Sequence, residues 1–183
     1  MTFYRILSAC LLFLAGITVS VAAQEVEVIK PESGSFALTN ARLVTVTDGT
    51  IENGTLLIQD GKITALGTTV AIPEGFERID CSGMEVYPGM IDGGTRLGLI
   101  EVGSISLTQD YNEVGEVTPH MQALTAVNPN SVAIPVTRVN GVTTVLTAPG
   151  GGVLPGTAAT INLLGYSPQQ MYSGFKGLVL NFP

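Results

Sequence analysis

Short apolar runs separated by turn-forming residues make up the pattern between residues 36 and 87. The clearest pair of runs covers residues 55–59 and 62–66, with Asp60-Gly61 between them. An Asp-Gly pair suits the positive φ angles of a type I′ turn, so a β-hairpin is predicted here. Further short strands are predicted at residues 43–46, 78–80 and 84–86. Residues 36–87 are therefore predicted to form a small antiparallel sheet or sandwich.

The region after Pro88 alternates between strand and helix patterns. A short apolar strand at residues 90–92 runs into Gly93-Gly94, and a second apolar strand is predicted at residues 142–146. Between these strands, valines recur at helical spacing on one face of a predicted helix. Those valines are Val132, Val136 and Val139. Strand, helix and strand in succession predict a parallel βαβ unit.

The helix boundaries are predicted from capping residues. Asn128-Pro129 is typical of a helix start, but Pro135 predicts a kink or a helix that begins later, because proline lacks a backbone N–H. Ser167-Pro168 predicts a second helix start, and residues 178–183 are predicted to be a helix or its exit. Residues 97–126 contain glycines and acids without a clear period, and no regular structure is assigned to them.

The first residues have the pattern of a secretory signal. Arg5 precedes an apolar run over residues 6–21, and small residues precede a predicted cleavage after Ala23. The alternative, a membrane anchor, is disfavoured because the run is short for a bilayer span. Residues 1–23 are thus predicted to be a signal peptide and residues 24–35 a flexible leader. The mature chain is expected to be exported, to the periplasm or outside the cell, without a stable membrane anchor.

Composition and charge narrow the function further. The 183-residue chain is 45% apolar and 13% charged, so it can bury a core. Its net charge is −7 and no basic cluster is present, which argues against nucleic-acid binding because phosphate neutralisation needs grouped Lys and Arg. After removal of the signal only Cys81 remains, so neither an internal disulfide nor a cysteine zinc site is expected.

Four motifs in order carry a family resemblance. They are residues 40–45 (NARLVT), 54–63 (GTLLIQDGKI), 87–92 (YPGMID) and 140–145 (NGVTTV). With this succession the chain resembles the amidohydrolase superfamily, in particular its imidazolonepropionase-like branch. The resemblance runs from about residue 36 to residue 183.

The resemblance implies a composite fold. An N-terminal β-sandwich, here residues 36–87 and completed by strands from the far C-terminus, would flank a metal-bearing (β/α)8 barrel. Residues 88–183 would supply the first β/α units of that TIM-like barrel. A complete barrel needs about 250 residues, so we expect the chain to be the N-terminal part of a longer protein.

The resemblance also implies a site at the end of the first barrel strand, where the family carries Asp-x-His-x-His on a zinc-like divalent metal. The matching residues here are Asp92-Gly93-Gly94-Thr95-Arg96. Gly94 and Arg96 occupy the two histidine positions; glycine offers no ligand, and arginine stays cationic and repels a metal. None of the usual first-strand ligands is therefore present, and this chain alone supports no cofactor.

Substitute ligands are weighed against simpler roles. Asp92 could bind a metal, but a carboxylate that ties down its own loop or pairs with Arg96 is favoured. His120, the single histidine, is more often a surface residue than a ligand. Four acids could gather as oxygen ligands for a hard ion, although acidic loops are usually only solvated; these are Glu101, Asp110, Glu113 and Glu116.

Two functions follow from these observations. By resemblance, the protein is an exported hydrolase of non-peptide carbon–nitrogen bonds that acts on a small amide-type ligand. The alternative is a metal-free, amidohydrolase-like binding or structural protein, or an inactive fragment. Catalytic residues remain unassigned, and the oligomeric state, including a homo-oligomer, stays open.

The glycine-rich run 150–156 lacks the dinucleotide and P-loop fingerprints and is predicted to be a loop at the ligand face of the barrel.

Overall fold

The computed structural model describes residues 34–182. The predicted signal peptide, its cleavage after Ala23 and the leader up to residue 33 lie outside the described residues. Within that range, no helix is both long enough and apolar enough to cross a membrane.

The first sheet contains five strands. They are β1 (Ser35–Val44), β2 (Thr50–Gln59), β3 (Lys62–Gly67), β4 (Glu77–Asp80) and β5 (Glu85–Val86). Their order is β3-β2-β1-β4, and β5 also pairs with β1. The predicted hairpin is confirmed: β2 and β3 are antiparallel, and Asp60 and Gly61 have φ angles of 50° and 73°.

The sheet is mixed, so the prediction of a purely antiparallel sheet is wrong. β4 and β5 both run parallel to β1. β3 lies at one edge of the sheet, and the next strand, β4, pairs with β1 on the side away from β2. The connection between β3 and β4 is therefore a crossover and not a hairpin. Four buried residues form a core cluster in this sheet: Ala41, Leu43, Leu56 and Cys81.

An ion-pair network joins three strands of the first sheet. Arg42 on β1 pairs with Glu52 on β2, with Nε and Oε1 2.9 Å apart, and with Glu85 on β5. The Tyr87 hydroxyl donates to the other oxygen of Glu85. Tyr87 and then Arg42 lower the pKa of the Glu85 carboxyl through these hydrogen bonds, because both bonds favour the charged form.

Replacing Tyr87 by Phe is expected to raise the pKa of Glu85 toward its ordinary value, because the strongest hydrogen bond to the carboxylate is lost. A carboxyl whose folded pKa is depressed stabilises the fold above its unfolded pKa, and this contribution disappears as the pH falls through the folded pKa. Tyr87→Phe should therefore reduce the part of the free energy of unfolding that is lost at acid pH. NMR titration of the Glu85 carboxyl carbon measures the shift. Tyr166→Phe is the control, and an unchanged Glu85 pKa in Tyr87→Phe would contradict the expectation.

The second sheet has four strands in the order β6-β7-β8-β9. They are β6 (Met90–Thr95), β7 (Val142–Thr147), β8 (Gly156–Asn162) and β9 (Tyr172–Val179). The predicted βαβ unit is present, because β6 and β7 are parallel and a helix lies between them in the chain. β8 and β9 then continue the sheet in antiparallel fashion.

Three short α-helices accompany this sheet: α1 (Ala123–Ala126), α2 (Ala133–Val139) and α3 (Pro168–Met171). α2 begins late, as Pro135 predicted, and this proline stands in its first turn, where the backbone N–H has no helical partner. The start at Ser167-Pro168 is also confirmed, since the Ser167 side chain accepts a hydrogen bond from the Gln170 N–H.

The predicted helix or helix exit at residues 178–183 is wrong over the described residues 178–182, because the chain there leaves strand β9. Gly174 and Gly177 disfavour a helix, and Gly174 has a φ of 101°. Pairing with β8, for example Leu178 opposite Thr157, satisfies the backbone instead.

The core of the second sheet draws on residues 97–126, to which the sequence assigned no regular structure. Leu99, Ala123 and Leu124 are buried there together with residues of α2, the strands and α3. A short 3-10 helix, Ser106–Thr108, interrupts the intervening loop. Gly89, just before β6, packs so tightly on β7 that an added Cβ would lie 2.2 Å from Thr143 Oγ1.

One apolar face of α2 is open to solvent. Ile134 is 3% exposed, whereas Val132, Val136 and Val139 are 76%, 61% and 80% exposed. On β6, which is an edge strand, Ile91 is 72% exposed. Exposed apolar surface of this kind marks an interface or an aggregation site.

Residues 24–183, produced alone, are therefore expected to be poorly stable and to bind a hydrophobic dye. Changing Val132, Val136 and Val139 together to Thr should lower dye fluorescence and self-association without lowering the melting temperature. Ile134→Thr on the buried side of the same helix is the control and should lower the melting temperature. A cooperative, monomeric melt of unmodified residues 24–183 would contradict the expectation.

Candidate functional site

The carboxyl ends of the parallel strands β6 and β7 meet at one edge of the second sheet. The Ala148 N–H donates to the Thr95 carbonyl over 2.9 Å. Thr147, at the end of β7, is fully buried, and its hydroxyl donates to the Leu97 carbonyl over 3.0 Å. These bonds fix the loop after β6 against the end of β7. The strand-end edge is where α/β barrels place ligands.

Arg96 and Tyr111 form a stacked pair at this edge. The Arg96 guanidinium carbon lies 3.9 Å from the centre of the Tyr111 ring, which is cation–π geometry. The Gly150 N–H, just after β7, donates to the Tyr111 carbonyl over 2.7 Å. The main chain at Tyr111 is thereby tied to the loop that follows the second strand.

Gly150 allows this close packing. A Cβ atom at Gly150 would lie 2.9 Å from Nη2 of Arg96 and 3.1 Å from the ring of Tyr111. Any larger residue would displace one member of the pair. The glycine-rich run after β7 therefore serves close side-chain packing at the strand ends.

Asp92 is engaged with its own loop. Its Oδ1 accepts the Gly94 N–H over 3.0 Å. Within residues 34–182 there are two ion pairs, and both are formed by Arg42. Asp92 and Arg96 therefore do not form an ion pair with each other. Between Asp92 and Thr95, strand β6 has one residue more than the stretch of β7 that pairs with it. Gly93-Gly94 therefore forms a bulge.

The four acids considered as oxygen ligands for a hard ion lie in different surroundings. Glu101 accepts a hydrogen bond from Asn128 over 2.9 Å, whereas Asp110 and Glu113 line a common pocket. The main-chain carbonyl of Glu116 accepts from Val153 and Leu154. His120 is exposed in a turn.

The residues at the end of β6 do not fit a zinc-like site. Gly94 has no side chain and Arg96 is a cation, which leaves the carboxylate of Asp92 as a single ligand group at this strand end. Between residues 34 and 182, no group of three His, Cys, Asp or Glu residues is close enough to hold a metal.

The pocket beside the stacked pair has a volume of about 220 Å³. Tyr111 belongs both to this pocket and to the contact with Arg96. Asp110, Glu113 and Gln122 supply acceptor oxygens, and Pro149 and Ala126 supply apolar surface. A larger pocket of about 250 Å³ lies on the first sheet, where Leu43, Ile63 and Tyr87 help to line it. It lies away from the strand ends, so the smaller pocket is the better candidate for the functional site.

Sequence reasoning identified Arg96 but missed Tyr111 and Gly150 as its neighbours. Tyr111 lies in the segment to which no structure was assigned. The signal that could have found Gly150 is its position in a triple glycine directly after a predicted strand.

Comparison with known proteins supports the same family. No family model matches this chain. An imidazolonepropionase from Mesorhizobium japonicum is 31% identical over 148 residues, which are 67% of this chain and 36% of that protein. A D-hydantoinase from Geobacillus stearothermophilus is 41% identical over 78 residues, 43% of this chain and 16% of that protein. A solved amidohydrolase structure from Thermotoga maritima has a TM-score of 0.75 at 28% identity, over 81% of this chain and 39% of the other.

These matches confirm the resemblance. The chain is similar to amidohydrolases, and in particular to imidazolonepropionases, over the part that these proteins share with it. Its mixed, sheet-rich fold also matches the amidohydrolase structure. The chain spans between 16% and 39% of the length of these three proteins.

Introducing two imidazoles should test the geometry at the end of β6. An added Cβ at Gly94 meets no atom within 4 Å, so a histidine has room. Gly94→His with Arg96→His is expected to raise zinc affinity, because two residues two positions apart on an extended chain point to one side. Calorimetric titration with zinc measures the effect, and Gly94→Asn with Arg96→Gln is the control without imidazoles. Unchanged zinc affinity in the double histidine variant would show that the two positions do not converge.

Proposed function

We propose that this chain is part of an exported hydrolase that acts on carbon–nitrogen bonds other than peptide bonds. The main support is the joint observation of a parallel β6–α2–β7 unit and a structural match to an amidohydrolase over 81% of the chain. The named relatives, an imidazolonepropionase and a D-hydantoinase, support a small, amide-type substrate. Export rests on the signal pattern of residues 1–23.

The proposed architecture is a composite one. The first sheet would be one layer of a β-sandwich, and β6, α2 and β7 would begin a TIM-like barrel, with β8 and β9 as an antiparallel extension. The exposed valines of α2 and Ile91 of β6 support this proposal, since further barrel elements would cover them.

Within the proposed enzyme, this chain contributes binding groups and no metal ligand at the end of β6. Arg96 would orient an anionic group of the substrate, and the acceptors around the adjacent pocket would orient its N–H groups. Any metal that activates water in the whole protein would be held by residues other than Gly94 and Arg96.

A metal-free binding protein is the second candidate. The stacked Arg96 favours it, because a guanidinium remains charged at all relevant pH values and repels a metal ion. On this proposal the strand-end edge keeps a ligand site but has lost its hydrolytic chemistry.

Assays of the full-length protein from the exported fraction distinguish the two candidates. Hydrolysis of hydantoin and of imidazolonepropionate is measured, together with the metal content by elemental analysis. Ring opening that a chelator abolishes and zinc restores is expected for the hydrolase. Stoichiometric metal would defeat the metal-free candidate. A folded protein with neither ring opening nor bound metal would defeat the hydrolase.

A further inference from the structure

We propose that Asn181, just beyond the carboxyl end of β9, is a positioning residue that holds one wall of the pocket beside the stacked pair. That wall is the β7–β8 loop, residues 148–155. The inference deepens the proposed function by adding a third strand to the site, and it rests on that function's placement of a small amide-type ligand in this pocket.

The strand that precedes Asn181 runs in the same direction as β6 and β7. β8 is antiparallel to β7, and β9 is antiparallel to β8, so two reversals return the chain to the direction of β7. Val179, the last residue of β9, pairs with Gly156, the first residue of β8. The carboxyl end of β9 therefore lies at the same edge of the sheet as the carboxyl ends of β6 and β7, where α/β barrels place ligands.

Asn181 bonds to the β7–β8 loop through its side chain and its main chain. Its Nδ2 donates to the carbonyls of Gly151 over 3.2 Å and of Gly152 over 2.9 Å. Its N–H donates to the Val153 carbonyl over 2.9 Å. A side-chain amide has two N–H donors, and here both are directed to neighbouring carbonyls of one loop. A carboxylate of the same shape would place an oxygen against those carbonyls instead.

The segment 111–118 holds the same loop from a second direction. The Leu154 N–H donates to the Glu116 carbonyl over 2.9 Å, and the Thr118 N–H donates to the Leu154 carbonyl over 2.7 Å. Gly152 allows this contact, because a Cβ there would lie 2.7 Å from the Glu116 carbonyl oxygen. The β7–β8 loop is thus fixed between this segment and the residues that leave β9.

The loop connects Asn181 to the ligand pocket. Pro149 and Pro155, near the two ends of the loop, both line the pocket. Asn181 is not one of the described residues that line it, and its side chain bonds to the loop between the two prolines. Asn181 therefore acts on a bound ligand through the loop, by fixing the wall before the ligand arrives. A wall fixed in advance loses less conformational freedom on binding.

Calorimetric titration of the full-length protein with ethyleneurea tests the role of Asn181. This stable cyclic urea carries two N–H groups, which suit the acceptor oxygens of Asp110 and Glu113 in the pocket. Its N,N′-dimethyl derivative lacks these donors and is the control ligand. Ethyleneurea is expected to bind saturably, and the dimethyl derivative more weakly.

Three substitutions at Asn181 are expected to differ in a definite order. Asn181→Ala should weaken ethyleneurea binding about two- to tenfold, which is the range for a lost hydrogen bond between neutral groups. Asn181→Asp should weaken it at least as much, because it keeps the shape and removes the donors. Asn181→Gln keeps both donors and should weaken it less. Gly152→Ala disturbs the loop from the side of segment 111–118 and should also weaken binding.

Hydrogen exchange of the loop amides shows whether the effect travels through the loop. Asn181→Ala should speed exchange at Val153 and Leu154, and ethyleneurea should slow it in the unmodified protein. A merely structural role would lower the melting temperature and leave the affinity of the folded protein unchanged.

Asn140→Ala is the matched control, because it removes a bond of the same kind, from Nδ2 to the Val136 carbonyl over 2.7 Å. Asn140 directly precedes Gly141 and β7, at the opposite end of that strand. This variant should leave ethyleneurea binding and loop exchange unchanged. Circular dichroism of every variant confirms folding. Equal ethyleneurea affinity in Asn181→Ala and the unmodified protein, equal affinity for the two ligands, or no ethyleneurea binding by folded protein would each overturn the proposal.

Ring-opening assays on the same samples separate this inference from the proposed function. Hydrolysis of a test substrate, with ethyleneurea affinity that does not depend on Asn181, would overturn the positioning role alone. Ethyleneurea binding that depends on Asn181, in a protein that hydrolyses neither test substrate, would overturn the hydrolase and retain the positioning role.

Discussion

The parallel pairing of β6 with β7 is the constraint on which the candidate site depends. Because the two strands run in the same direction, the loops that follow them leave from the same edge of the sheet. The buried Thr147 hydroxyl and the bond from Ala148 to Thr95 then join those loops directly. An antiparallel pair would send the loop containing Arg96 and the loop containing Gly150 to opposite edges, and the stacked pair could not form.

The same strand end differs from the pattern that the family resemblance implies. Two glycines make a bulge in β6, and a guanidinium follows where the resemblance implies an imidazole. A positive charge held against an aromatic ring attracts anions and disfavours metal ions. The described part of this strand end therefore carries a group that favours anions.

Local signals in the sequence predicted local structure well. Asp60-Gly61 identified its hairpin because the turn conformation depends on those two residues alone, and Pro135 placed the late start of α2 for a similar reason. The direction of β4 was not predictable in this way, since it depends on where a loop crosses the sheet. The end of β9 was mistaken for a helix or its exit because its pairing with β8 lies outside any short window of sequence. At the site, Arg96 followed from the motif, whereas Tyr111 did not, because the contact depends on the path of an irregular loop.

The stacked pair also gives the protein an intrinsic optical signal. The chain contains no tryptophan and only five tyrosines, so tyrosine absorption and emission are not masked. One of those five, Tyr111, lies under a charged group at the strand ends. The electronic transitions of an aromatic ring respond to a charge held against its face. Occupation of the strand-end edge would therefore change the ultraviolet spectrum of this chain.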